Sequence, residues 1–286
     1  MRTVGDEPGH PCQRSVAWVG VTLDSAGDGT ADGGLETQLD PGTQVATVEI
    51  QRGPNNFFDL SVLIRLADTL DDLAKQGARA VVLCSEGKNF CAGADFSGGT
   101  EQGLRQSGAP HLYDVAMRVF EQPLPVVAAV QGAAIGGGLG LALAADFRVA
   151  SPESRFAANF VKLGFHQGFG ITVTLPRAVG QQADLDLLYT GRRIDGTQAH
   201  RIGLCDHLVP PDRLRARAAA LAAEIAEAAP LAVRSVRETM RAEVVRAVRE
   251  AMARERKEQD RLRQTEDFRE GVAAVRDRRP ATFSGR

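Results

Sequence analysis

From Val126 to Ala145 the chain carries no charged residue, a run about as long as the ~20 residues a helix needs to cross a bilayer. The internal pattern argues against a span. Gln131 and Gly132 interrupt the run, Gly136, Gly137 and Gly138 follow in succession, and much of the remainder is alanine. A tight turn here leaves two short buried pieces, a strand at Val126–Val130 and a helix at Leu139–Ala145. Both pieces need covering on every side, so the feature demands a sizeable core and predicts no membrane segment.

The flanking sequence supplies that cover. Val16–Leu23 reads as a strand, residues 24–43 as a long loop rich in Gly, Asp and Thr, and Val45–Ile50, which alternates apolar and polar, as a second strand. Asp59 and Ser61 are N-cap candidates for a helix that places Leu63, Leu66, Leu70 and Leu73 on one face. Ala78–Cys84 is a continuous apolar run, as expected of a strand buried on both faces. A helix ending before Glu121 and a strand at Phe147–Ala150 continue the alternation, which predicts βαβ crossovers and a mostly parallel sheet.

Strand signals then stop. Pro211 to Ala228 is rich in Ala and Arg, with Leu214, Ala218, Leu221 and Ile225 on one stripe. Pro230 suits the first turn of a further helix, whose apolar positions Val233, Val236, Met240, Val244, Val248 and Met252 recur every three or four residues. The expected organisation is a flexible N-terminus at 1–14, an α/β core over 15–210 and a helical region over 211–286.

Composition narrows the function. Formal net charge is −2 and 24% of residues are charged, which gives no basic footprint for nucleic acid. The four cysteines, Cys12, Cys84, Cys91 and Cys205, form no C-x-x-C pair and have no metal-ligand spacing with the five histidines. A reduced, cytoplasmic protein without a metal is the expectation.

Two glycine-bearing turns follow buried strands: Asn89–Ser97 after the strand ending at Cys84, and Gln131–Gly140 after Val126–Val130. Glycine permits close backbone approach, and a helix N-terminus leaves N–H groups without intrahelical partners. Two such turns side by side can aim two N–H donors at one developing oxyanion. Taken alone, the same glycines fit better with tight turns that serve packing only.

At these turns the chain resembles the crotonase (enoyl-CoA hydratase/isomerase) superfamily. Phe90-Cys-Ala-Gly-Ala-Asp-Phe96 is similar to that family's first oxyanion loop, and Pro125-Val-Val-Ala-Ala-Val-Gln-Gly132 followed by Gly136-Gly-Gly138 to its second. Ala145–Ala150, Leu175–Gly180, Leu188–Ile194, Ala199–Leu204 and the tail from Phe268 to Phe283 also agree, so the resemblance covers roughly residues 45–286. It implies a crotonase-like spiral of ββα units with a C-terminal helical trimerisation region, assembled as a homotrimer or a dimer of trimers. It implies an acyl-CoA substrate with coenzyme A as part of the thioester, and no permanently bound cofactor. Carried over position by position, the oxyanion donors are the N–H groups of Ala94 and Gly137, and Ala92, Asp95, Phe96 and Ser97 line the CoA side.

The chain also departs from the family. Where hydratases carry two glutamates, it has Gly140 and Phe160, and neither can move a proton. Ordinary two-glutamate hydration is therefore not expected. His166, in the Gly164–Gly170 loop where several non-hydratase relatives place an acid, is the candidate acid or base, since an unperturbed imidazole titrates near pH ~6.5. His111 and Asp114 fall in a segment able to cover the pocket, and Asn55-Asn-Phe-Phe58 replaces the family's usual loop. The reading is an acyl-CoA enzyme working through a thioester enolate. The alternatives are a catalytically silent CoA-binding or scaffold subunit and a crotonase-fold C–C hydrolase.

Overall fold

The computed structural model describes residues 34–94 and 110–286. The expected strand at Val16–Leu23 and the polar stretch 1–14 lie outside the described residues, as do Asp95, Phe96 and Ser97.

Residues 24–43 were expected as loop, but Leu35–Leu39 forms strand β1, antiparallel to β2 at Val45–Ile50. Asp40 makes the turn between them, its Oδ1 accepting the Gly42 N–H at 2.8 Å. The expected loop was read from its Gly- and Asp-rich first half, which masked a five-residue strand behind it.

Helix α1 (Leu60–Lys75) begins as its sequence requires, with the Val62 N–H donating to Asp59 Oδ1 at 3.0 Å. Leu63, Leu66, Leu70 and Leu73 are all buried, each contributing about 1.5–3 kcal/mol by leaving water. Strand β3 (Ala80–Ser85), helix α2 (Leu112–Glu121), strands β4 (Val126–Val130) and β5 (Ala133–Ile135), helix α3 (Gly137–Ala144) and strands β6 (Phe147–Ala150) and β7 (Arg155–Ala157) follow. A 3-10 turn at Asn159–Leu163 leads to α4 (Ile171–Val179), α5 (Gln181–Thr190), β8 (Ile194–Asp195), α6 (Gly196–Arg201) and β9 (His207–Leu208). Three helices close the chain: α7 (Leu214–Glu227), α8 (Pro230–Leu262) and α9 (Glu266–Arg276).

The larger sheet runs β1-β2-β3-β4-β6-β9 and is parallel from β2 onward; the smaller is β5-β7-β8. Strand alternation splits the large sheet between two cores. Val81, Leu83, Ala128 and Val130 join α1 and α2 on one face. Ala80, Val82, Cys84, Val127, Ala129 and Val149 meet Leu214, Ala218, Ala222 and Ala226 of α7 on the other. Burial on both faces is why these strands read as unbroken apolar runs. Among the described residues no helix is long and apolar enough to cross a membrane.

The long helix α8 is apolar-buried only in its second half. Val248 and Met252 are core residues, whereas Val236 and Met240 of the same predicted stripe are exposed. Its first half is fastened by charge instead. Arg237 Nε and Arg241 Nη1 each meet an Asp146 oxygen at 2.9 Å, and Asp146 also accepts the Val126 N–H at 2.8 Å. The same arginines reach the carbonyls of Gln122 and Ala144, where α2 and α3 end and their dipoles are negative. Asp146 thus has a structural role, tying α8 to the start of β4.

Candidate active site

The two glycine turns lie against each other as a short parallel pair. Cys91 bridges Ala134: the Cys91 N–H donates to the Ala133 carbonyl at 2.9 Å, and the Ile135 N–H to the Cys91 carbonyl at 3.0 Å. A second bridge joins Phe58 to Ala94, with the Phe58 N–H on the Gly93 carbonyl at 3.0 Å. Three segments, 55–58, 90–94 and 133–138, therefore meet at one point.

The closeness depends on glycine. A Cβ at Gly138 would stand 2.0 Å from the Cys91 carbonyl oxygen, and one at Gly132 1.9 Å from the Lys88 oxygen. Gly136, with φ +56°, turns the chain from β5 into α3, so that Gly137 becomes the first residue of the helix. The helix starts two residues earlier than the sequence suggested, which puts the Gly137 N–H among its open N-terminal donors.

Ala94 and Gly137 are brought together. A Cβ at Gly137 would lie 3.8 Å from the Ala94 nitrogen, and one at Gly93 3.5 Å from the Gly137 nitrogen. No loop or cap hydrogen bond among the described residues uses either the Ala94 or the Gly137 N–H. Ala92 stands beside them with its own N–H committed to the Asn55 carbonyl at 2.9 Å. Cys91 is fully buried here, and burial pushes its thiol up to about 12, against a lowering by the Gly93 N–H. A neutral thiol of that kind is packing, not a nucleophile.

Aromatic rings crowd the first turn of α3. Phe58 Cζ would be 2.6 Å from a Cβ at Gly137, and Phe169 Cβ 2.6 Å from one at Gly140. The Phe160 ring faces Gly136, its Cζ 3.8 Å from that glycine's Cβ position. The Phe58 and Phe169 ring centroids are 5.3 Å apart, and Phe120 stands 6.2 Å from Phe169. The two positions that the resemblance aligned with glutamates are thus a glycine covered by one ring and a second ring.

His166 sits in the next loop and is half-buried. Its Nδ1 donates to the Gln167 carbonyl at 2.8 Å, which leaves Nε2 as the free position of the ring. Glu255 is fully buried and accepts the Gly170 N–H at 2.9 Å, the Thr172 N–H at 3.1 Å and the Thr172 hydroxyl at 2.6 Å. Burial raises its pKa, and these hydrogen bonds oppose the rise. Gln259 Nε2 donates to the His166 carbonyl at 3.0 Å and its Oε1 accepts the Tyr113 hydroxyl at 2.8 Å.

His111 and Asp114 form the capping box of α2. His111 Nδ1 accepts the Tyr113 N–H at 3.1 Å, and Asp114 Oδ2 accepts the His111 N–H at 3.2 Å. Burial, then Arg256, lowers the His111 pKa.

Phe169, Tyr113, Glu255 and Gln259 were not singled out from the sequence. A signal for the last two existed: the buried stripe Val248, Met252 continues through Glu255 and Gln259 at spacings of three and four. Their polarity hid them among the Arg, Lys and Glu of the helix. Among the described residues no group of three or more His, Cys, Asp or Glu could hold a metal ion.

A parallel sheet with two interlocked glycine turns and a C-terminal helical region is the crotonase arrangement. Residues 41–286 match the family described as Enoyl-CoA hydratase/isomerase, and the chain belongs to that family. It is 38% identical over 228 residues to a provisional enoyl-CoA hydratase of Thermus thermophilus, covering 77% of this chain and 89% of the relative. A probable enoyl-CoA hydratase of Rhodobacter capsulatus is 35% identical, over 74% of this chain and 84% of that one. The crystal structure of an enoyl-CoA hydratase/isomerase from Pseudoalteromonas atlantica superposes with a TM-score of 0.78 at 30% identity, covering 88% of this chain and all of that one.

Proposed function

We propose that the chain binds an acyl-CoA thioester with its carbonyl oxygen between the N–H groups of Ala94 and Gly137, and stabilises the enolate formed there. The observation that carries this reading is the pairing of the two glycine turns through Cys91 and Ala134, which sets two N–H groups close together. An oxyanion donor of this kind typically contributes about 2.7–4 kcal/mol to the transition state. Asp95, Phe96 and Ser97 follow Ala94 directly and complete the CoA side in this reading; coenzyme A enters as part of the substrate.

The reaction proposed is not two-glutamate hydration. Gly140 and Phe160 offer no proton carrier, and the rings of Phe58, Phe160 and Phe169 pack around the first turn of α3, where Asn159 Oδ1, an acceptor that carries no proton, stands 3.5 Å from the Gly136 Cβ position. Isomerisation, C–C cleavage or decarboxylation of a thioester uses the same enolate. His166, through Nε2, is the proton carrier this reading nominates.

Mass spectrometry of acyl-CoA thioesters incubated with the protein in D2O tests the proposal. The panel contains 2-enoyl, 3-enoyl, saturated and β-keto chains. Product, or deuterium at the α-carbon, is the expected result. Efficient hydration of crotonyl-CoA would overturn the exclusion of hydratase chemistry. Intact CoA binding with every thioester unchanged would favour a silent CoA-binding subunit, a reading supported by the ring that covers Gly140.

A further inference from the structure

The loop from Phe165 to Thr172 adopts a backbone its sequence does not favour. Phe169 has φ +61° and Gly170 φ +73°, and the left-handed region penalises any residue with a Cβ. Something outside the loop must hold Phe169 there. The Gly170 and Thr172 N–H groups and the Thr172 hydroxyl converge on the carboxylate of Glu255, which is fully buried in α8. The Tyr113 hydroxyl, packed against Gly168 of the loop, donates to Gln259, and Gln259 holds the His166 carbonyl. A Cβ at Gly168 would stand 1.9 Å from the Tyr113 oxygen, so the bracket fits closely around the loop.

The product of this bracket is a ring in a fixed place. Phe169 covers Gly140 and touches Phe58, which in turn covers Gly137. We propose that Phe169 determines acyl specificity and that Glu255 is its positioning residue, together closing the acyl end of the site with an aromatic wall that accepts apolar acyl groups and rejects carboxylated ones. The inference rests on the acyl-CoA reading of the Ala94–Gly137 site. Its physical basis is desolvation. A carboxylate on the acyl chain would lose its water against the Phe58 and Phe169 rings.

Butyryl-CoA and succinyl-CoA have four-carbon acyl chains that differ in the terminal carboxylate, so calorimetric titration of each, with CoA alone as reference, isolates the wall. The full chain should bind butyryl-CoA at least roughly tenfold more tightly than succinyl-CoA, a ratio worth about 1.4 kcal/mol. Phe169→Leu, which keeps the wall apolar but thins it, should weaken butyryl-CoA and leave CoA unchanged. Glu255→Gln keeps an acceptor and should retain most of the preference, whereas Glu255→Ala should match or exceed the loss seen in Phe169→Leu. Should Glu255→Ala fail to fold, the Gln and Leu variants still decide the matter. Equal or tighter binding of succinyl-CoA, or a preference unchanged in Phe169→Leu, would overturn the proposal while leaving the site reading intact. Failure of the unaltered protein to bind CoA or butyryl-CoA would overturn both.

Discussion

At Gly138 the absence of one carbon decides whether two loops can touch. A methyl there would meet the Cys91 carbonyl oxygen at 2.0 Å and force apart the pair that aligns Ala94 with Gly137. Gly138→Ala should cost about 1–3 kcal/mol of stability as overpacking, read as a lower denaturation midpoint, and should abolish α-carbon deuterium exchange. Asp184 presents the opposite case, a group the fold would be better without. Its carboxyl is raised to about 6 by burial alone, and its Oδ1 is enclosed without a hydrogen-bond partner among the described residues. Below pH ~4 both folded and unfolded chains hold that proton; between pH ~4 and ~6 the unfolded chain sheds it first, so stability falls; above that the penalty is constant. Asp184→Ala should therefore gain about 1 kcal/mol relative to the parent between pH 4 and pH 7.5, after allowance for solvent on the open side. Denaturation midpoints at the two pH values test this; an equal difference at both would exclude the linkage.

Local elements were the most legible part of the chain. Asp59 caps α1, Val45–Ile50 is β2 to the residue, and Pro230 opens α8, because capping, alternation and proline act over a few residues. The glycine turns were found for the same reason. What sequence could not give was the surroundings of each position. Gly140 announced a missing side chain, but only the fold shows a ring where that side chain would go, since Phe169 is distant in sequence. β1 hid behind a glycine-rich stretch, and α8 read as one apolar stripe although half of it meets charge rather than core. That half gives an element-scale prediction. Asp146→Ala would strand Arg237 and Arg241, both largely buried, and loss of one partner of a buried pair typically costs about 3–5 kcal/mol. Asp146→Asn, which keeps an acceptor for the Val126 N–H, should cost less. Urea unfolding of the two variants orders them; equal midpoints would mean that the arginines find other acceptors.

At the scale of the whole molecule, the large apolar side chains most exposed among the described residues lie late in the chain. Leu231 and Met240 on α8 are 79% and 72% exposed, and Tyr189 on α5 is 75% exposed, more than a lone monomer gains from. The homotrimer or dimer of trimers implied by the resemblance is the assembly we propose. Sedimentation should give a mass three or six times 30.5 kDa, and Met240→Glu with Tyr189→Glu should lower it. A 30.5 kDa species at micromolar concentration would count against the assembly.

The contact between Gly140 and Phe169 also constrains the history open to this chain. A glutamate at 140 collides with the ring while the ring remains. A small residue at 169 opens a void while the glycine remains. Either change alone is worse than both together, so the descendants of this pair face a valley rather than a slope. Placing a carboxylate at 140 therefore takes two coordinated substitutions, since each alone leaves either a collision or a void.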